Sequence, residues 1–82
     1  MLTVRYWASA KAAAGVAEEQ VDGRTLAEVL AAARLRHDAR FTEVLARCAY
    51  VVDGAPVGVR PHDSVLVVDG GLVDCLPPFA GG

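Results

Sequence analysis

Asp69-Gly70-Gly71-Leu72-Val73-Asp74-Cys75-Leu76-Pro77-Pro78-Phe79-Ala80-Gly81-Gly82 reads as a turn, a strand, a strand stop and a thin tail. Asp-Gly-Gly between apolar runs is a hairpin signal, because glycine adopts the positive φ that tight turns demand. Along Leu72 to Leu76, alternation puts Val73 and Cys75 on one face and Leu72, Asp74 and Leu76 on the other, so the apolar pair marks the core side. Pro77 and Pro78 supply no N–H to a ladder, so the sheet ends there and the chain is projected outward. Gly81 and Gly82 have no Cβ, which lets such a tail lie extended in a narrow channel with its backbone against another protein's catalytic groups. A carboxylate at Gly82, with Gly81, Ala80 and Phe79 behind it, suits presentation to a partner's active site. The chain divides into a packed domain over 1–76 and a flexible tail over 77–82.

Working outward, Val65 to Val68 reads as the strand before the Asp-Gly-Gly turn. Ala49 to Val52, a turn at Asp53-Gly54 and a brief extended piece at Val57-Gly58-Val59 stand before it. At the other end, Leu2, Val4, Tyr6 and Ala8 alternate with Thr3, Arg5, Trp7 and Ser9, the period-two pattern of a strand with one buried face. An Ala-rich connection ending near Gly15-Val16 leads to a short polar strand over 18–22, a hairpin partner for the first at a sheet edge, where charge discourages pairing with other chains. Thr25 and Glu28 form a capping box that starts a helix from Leu26 to about Leu35. Its Leu26, Val29, Leu30 and Ala33 make one apolar stripe, and Phe41, Val44, Leu45 and Cys48 repeat the spacing in a second short helix. This order predicts an α+β domain in which a helix covers one face of a mixed sheet.

A single main helix leaves the other face open. If Leu2, Val4 and Tyr6 face the helix, parity sends Arg5 and Trp7 outward, together with Leu76 and Leu72 from the last strand. With Phe79 on the tail, these residues form a patch suited to protein–protein contact, where aromatic side chains anchor affinity.

The 82 residues allow one domain with one core, and 54% hydrophobic with 22% charged content and a mean hydropathy of +0.33 place the chain among globular proteins. No apolar run reaches the length of a membrane span, and the start Met1-Leu2-Thr3-Val4-Arg5-Tyr6 has no basic segment followed by an apolar stretch, so a cytoplasmic protein is expected. A net charge of −2 without a basic cluster gives no reason to expect nucleic acid or a membrane as partner. Cys48 and Cys75 have neither a CxxC nor a metal-ligand spacing and read as small buried core residues. His37 and His62 stand in polar surroundings and read as solvated surface residues, and no metal site is assigned.

The layout, the size and the ending from Asp69 to Gly82 together resemble the MoaD/ThiS family of ubiquitin-like sulfur carriers, with the β-grasp fold. Within it the likeness is nearest to the small subunit of molybdopterin synthase, through the pattern DG, V, LPP and GG. The resemblance implies that Gly82 is adenylated by an E1-like, MoeB-type enzyme using ATP, then converted to a thiocarboxylate by a sulfur donor protein. It implies further that the tail enters the large subunit of molybdopterin synthase and delivers sulfur to cyclic pyranopterin monophosphate. The carrier itself would bind no cofactor and catalyse nothing alone. Asp74 and Cys75 depart from the family, which often has apolar and aromatic residues there. The same fold and ending also serve carriers for thiamine or cysteine biosynthesis and ubiquitin-like modifiers; Pro77-Pro78 favours the molybdopterin reading over the thiamine one. The sequence offers no Ser-His-Asp set, no Cys-His pairing and no phosphate-cradling loop, so activation of an unreactive carboxylate has to come from outside.

Overall fold

The alternating N-terminal residues form strand β1 (Leu2–Tyr6), followed by helix α1 (Ala8–Ala14) and strand β2 (Glu18–Val21). Helices α2 (Leu26–Arg34) and α3 (Ala39–Ala46) come next, then β3 (Ala49–Val52), β4 (Ala55–Pro56), a 3₁₀ turn at His62–Ser64 and β5 (Leu72–Leu76). This is a computed structural model that describes residues 1–78; the tail residues Phe79, Ala80, Gly81 and Gly82 lie outside the described residues. The strands form one mixed sheet in the order β2-β1-β5-β3-β4, in which β1 and β5 are parallel and the other pairs antiparallel. Among the described residues no helix is long and apolar enough to cross a membrane.

The core is the side of the sheet that parity selects. Leu2, Val4 and Tyr6 of β1 and Val73 and Cys75 of β5 are buried in one cluster with Leu26, Val29, Leu30 and Ala33 of α2 and Phe41 and Leu45 of α3. Each large apolar side chain removed from water in this way contributes about 1.5–3 kcal/mol. The helices begin where their caps are. Thr25 Oγ1 accepts from the Glu28 N–H at 3.2 Å, and Glu28 Oε1 accepts from the Arg24 N–H at 2.9 Å, one residue earlier than in the usual reciprocal box. Asp38 Oδ1 caps α3 by accepting from the Phe41 N–H at 3.1 Å.

Four sequence expectations are corrected. The Ala-rich connection is a helix, α1, because alanine has the highest helix propensity and Gly15, at φ 77°, supplies a left-handed stop whose N–H meets the Lys11 carbonyl. The piece at Val57-Gly58-Val59 is not a strand: pairing falls one step earlier, at Ala55–Pro56, after a turn with Asp53 at φ 48° and Gly54 at φ 83°. Val65 to Val68 is also not a strand and makes only a bridge from Leu66 to Thr25. The hairpin expected across Asp69-Gly70-Gly71 therefore does not form, since both flanks of β5 are occupied, by β1 and β3. Instead Val65 and Val67 run beside the start of α2, through bonds of 2.9 and 3.0 Å with Leu26 and Arg24.

The histidines are the fourth correction, because neither is a solvated surface residue. His62 is half-buried, edge-on to the Tyr50 ring at 5.1 Å between centroids. The His37 side chain is 13% exposed, lies 4.4 Å from the Phe41 ring, and places Nε2 2.7 Å from Glu19 Oε2. The Tyr6 hydroxyl donates to the same Glu19 oxygen at 2.5 Å, and Arg36 sits 3.9 Å from the other while donating to the Gln20 carbonyl at 2.7 Å. Glu19 thus ties edge strand β2 to β1 and to the α2–α3 corner. Burial alone would raise its carboxyl, but the bonds to Tyr6 and His37, with the charges of His37 and Arg36, outweigh burial and hold it below its ordinary value.

Two outcomes follow from this packing. A Cβ on Gly23 would lie 2.7 Å from Val29 Cγ2 and 2.9 Å from the Val29 backbone nitrogen. Gly23→Ala is therefore expected to destabilise the fold by about 1–3 kcal/mol through overpacking, read as a lowered urea midpoint at unchanged m. The lowered Glu19 carboxyl contributes stability that is present above the unfolded value of 4.5 and is lost as pH falls through the folded value. Glu19→Gln should be less stable than the parent at neutral pH, and the gap should close below pH 4.5 in urea titrations across that range. A gap that stays constant would show that the carboxylate's charge is not what matters.

Candidate partner-docking site

The outward face of the sheet is built rung by rung. Strand register aligns Glu18 of β2, Arg5 of β1, Asp74 of β5, Val51 of β3 and Pro56 of β4 across the middle. On one side of this rung stands Leu72, level with Thr3; on the other stand Leu76, level with Ala49, and Trp7 just past the end of β1. Arg5, Trp7, Leu72 and Leu76 are thus brought to one face, as parity predicts, with Leu72 and Leu76 half-buried and Trp7 45% exposed. The predicted tail residues Phe79, Ala80, Gly81 and Gly82 lie outside the described residues.

Trp7 is fixed at both its main chain and its ring. Its N–H donates to the Cys75 carbonyl at 3.3 Å, which extends the parallel ladder one residue beyond β1, and its carbonyl accepts from Ala10 at 3.0 Å to open α1. Ala8, next in sequence, takes φ 47°, a left-handed conformation costly for a residue with a Cβ, and this turns the helix away from the face. The indole Nε1–H donates to Asp74 Oδ1 at 2.9 Å. The Arg5 guanidinium carbon stands 5.9 Å from the indole ring centroid, and its Nη1 lies 4.0 Å from the same Asp74 oxygen. Asp74 is the residue that sequence reasoning missed. Parity places it on this face, but the signal linking it to Trp7 is the β1–β5 register, whereas the sequence pattern pairs the last strand with Val65 to Val68.

The thiols lie on the other side of the sheet or at its margin. Cys75 is buried, and burial first, then the charges of Cys48 and Asp74, push its thiol far up. Cys48 is half-buried, donates to the Val44 carbonyl at 3.4 Å, and is pushed by burial to about 11. The thiolate is the reactive form, so neither position favours nucleophilic chemistry near neutral pH. Among the described residues there is no group of three or more His, Cys, Asp or Glu side chains placed to hold a metal ion.

A mixed sheet grasping a helix, with N- and C-terminal strands parallel at its centre, is the ubiquitin-like β-grasp arrangement, and known structures share it. The chain overlays small archaeal modifier protein 1 (SAMP1) from Methanosarcina acetivorans with a TM-score of 0.83 at 19% identity, covering 99% of this chain and 95% of that one. It overlays a chain of the Amycolatopsis orientalis BexX/CysO complex at 0.82 and 20% identity, with 100% of both chains covered. For a Pyrococcus furiosus chain assigned as molybdopterin converting factor, subunit 1, the values are 0.77 and 25%, covering 94% and 95%. No curated protein matches the sequence. The sequence profile of the ThiS family matches residues 4–82, and the chain belongs to that family.

The thiol environments give a direct check. With a disulfide reagent at neutral pH, the native chain should label no faster than slowly at Cys48 and not at all at Cys75, both reacting promptly once urea unfolds it. Rapid native labelling of Cys75 would show that the thiol is accessible and chemically available.

Proposed function

We propose that this chain is a sulfur carrier of the molybdopterin synthase small-subunit type, with Gly82 as the acyl group that is charged. The observation that carries the reading is the parallel β1–β5 register. Tyr6 is level with Cys75, so Trp7 stands where β5 ends and the chain runs on toward Gly82. A docking face and the base of a tail ending in two glycines therefore share one end of the sheet, as a carrier delivering its terminus into a bound partner requires. Family membership supports the carrier role, and the likeness to the Pyrococcus furiosus chain supports the molybdopterin branch of it.

The chemistry runs through partners. The Gly82 carboxylate attacks the α-phosphorus of ATP in an E1-like, MoeB-type enzyme and pyrophosphate leaves; sulfide-level sulfur released by a donor protein then attacks the acyl carbon and AMP leaves, giving the thiocarboxylate. In the large subunit of molybdopterin synthase, the thiocarboxylate sulfur bonds to a carbon of cyclic pyranopterin monophosphate, and water cleaves the acyl–sulfur bond to return the Gly82 carboxylate. The chain's own residues dock and position: Trp7, Leu72 and Leu76 supply apolar contact, Arg5 borders it, and Gly81, Ala80 and Phe79 form the stalk. The alternative acceptors are thiamine or cysteine biosynthesis, or protein lysines in a modifier role.

Incubation with ATP, sulfide and the adenylating enzyme should give an intact-mass change matching one oxygen replaced by sulfur, localised to Gly82 by fragmentation. An unmodified terminus would sink the carrier reading. Restoration of molybdoenzyme activity in cells lacking their own carrier fixes the pathway, whereas rescue of thiamine or cysteine auxotrophy alone would replace it. Trp7→Ala should fold normally, since the side chain is half exposed, yet bind the large subunit about 30-fold more weakly or worse, as for an aromatic anchor in a calorimetric titration.

A further inference from the structure

Taking the carrier reading as its basis, we infer that Asp74 is a positioning and specificity residue of the docking face. It holds the Trp7 indole in one orientation, and it requires a cationic donor from the protein that covers the face. The first half rests on geometry. A half-exposed tryptophan samples several rotamers unless something restrains it, and here the restraint is a carboxylate at 2.9 Å from Nε1, with Arg5 against the ring. An indole already fixed loses less entropy on docking, so part of the cost of binding is met in the free chain.

The second half rests on charge. Across the middle rung Glu18 and Asp74 oppose a single guanidinium, Arg5, and the Arg5–Asp74 approach is a long 4.0 Å. Both contacts to Asp74 fall on Oδ1, while a carboxylate has about four acceptor positions. Its side chain is 18% exposed, and that remaining water is lost when a partner covers Trp7 and Leu76. A carboxylate buried without a full set of donors is strongly unfavourable, so the matching surface carries a lysine or arginine at the rim of the pocket that receives the indole. A partner whose pocket is apolar throughout is rejected by the same residue.

The single tryptophan of this chain is its own probe. Time-resolved fluorescence anisotropy of the free protein and titrations against the large subunit and the adenylating enzyme, at low and high salt, should be run for the parent, Asp74→Asn and Asp74→Leu. Asparagine keeps an acceptor for the indole N–H without the charge. Asp74→Asn should therefore leave the indole immobile but weaken binding about tenfold and flatten its salt dependence. Asp74→Leu should add a fast anisotropy decay. An indole equally immobile in Asp74→Leu overturns the clamp, and Asp74→Asn binding as tightly as the parent with the same salt slope overturns the cationic partner. If neither protein binds the parent chain, the carrier reading itself fails and takes the partner half with it, while the anisotropy measurement still decides the clamp.

Discussion

The ladder between β1 and β5 is parallel, and this one pairing sets most of what the molecule can do. Its bonds run from the Thr3 N–H to the Gly71 carbonyl at 2.9 Å and end with the Trp7 N–H on the Cys75 carbonyl at 3.3 Å. Parallel neighbours cannot be joined by a tight turn, so all the intervening chain acts as one long connection that must fold against the sheet. That connection supplies α2 and α3, whose apolar stripes close the core, and it contributes β3 to the far side of β5. With β5 enclosed, Val65 to Val68 has no place beside it and settles on the start of α2.

The same pairing gives the sheet two unequal faces. Val73 and Cys75 are fully buried beneath the helices, while Leu72, Asp74 and Leu76 between them are only half-buried. An open face carrying a tryptophan and two leucines is costly to leave in water unless a partner covers it. The face is not simply apolar, however. Its central rung carries Glu18, Arg5 and Asp74, so charged and apolar side chains occupy adjacent rungs.

Much of this was legible in the sequence, and the legible parts share a cause. Where an apolar period is reinforced by a helix cap, as at Thr25 with Leu26, Val29, Leu30 and Ala33, the element and its buried face are both right. The outward placement of Arg5, Trp7, Leu72 and Leu76 followed from parity alone. Helix α1 was missed because it buries only Ala10, so it has propensity but no periodic stripe. Val65 to Val68 was misread for the opposite reason: its valines and Leu66 have strand propensity, yet Leu66 is 75% exposed and its partner strand is taken. The roles of His37, Glu19 and Asp74 were hidden because each depends on residues distant in sequence that only the strand order brings together. Local pattern records which side a residue faces and not whom it meets.

For a carrier reacting at Gly82, these geometric facts combine into a constraint on its partners. Pro77 is buried against the domain, so the stalk effectively begins at Pro78, and the four residues beyond it can span at most about 14 Å when extended. Every active site that Gly82 enters must then lie within that distance of Pro78. A tail so short cannot compensate for a badly oriented domain: a tilt at the docking face displaces the terminus by several ångströms, whereas reacting atoms must meet within about 3–3.5 Å. Rigidity at Trp7 then has a mechanical meaning beyond affinity. Trp7 is bonded through its own backbone to the strand from which the tail departs, so in such a carrier a fixed indole would set where the stalk begins relative to the docked partner.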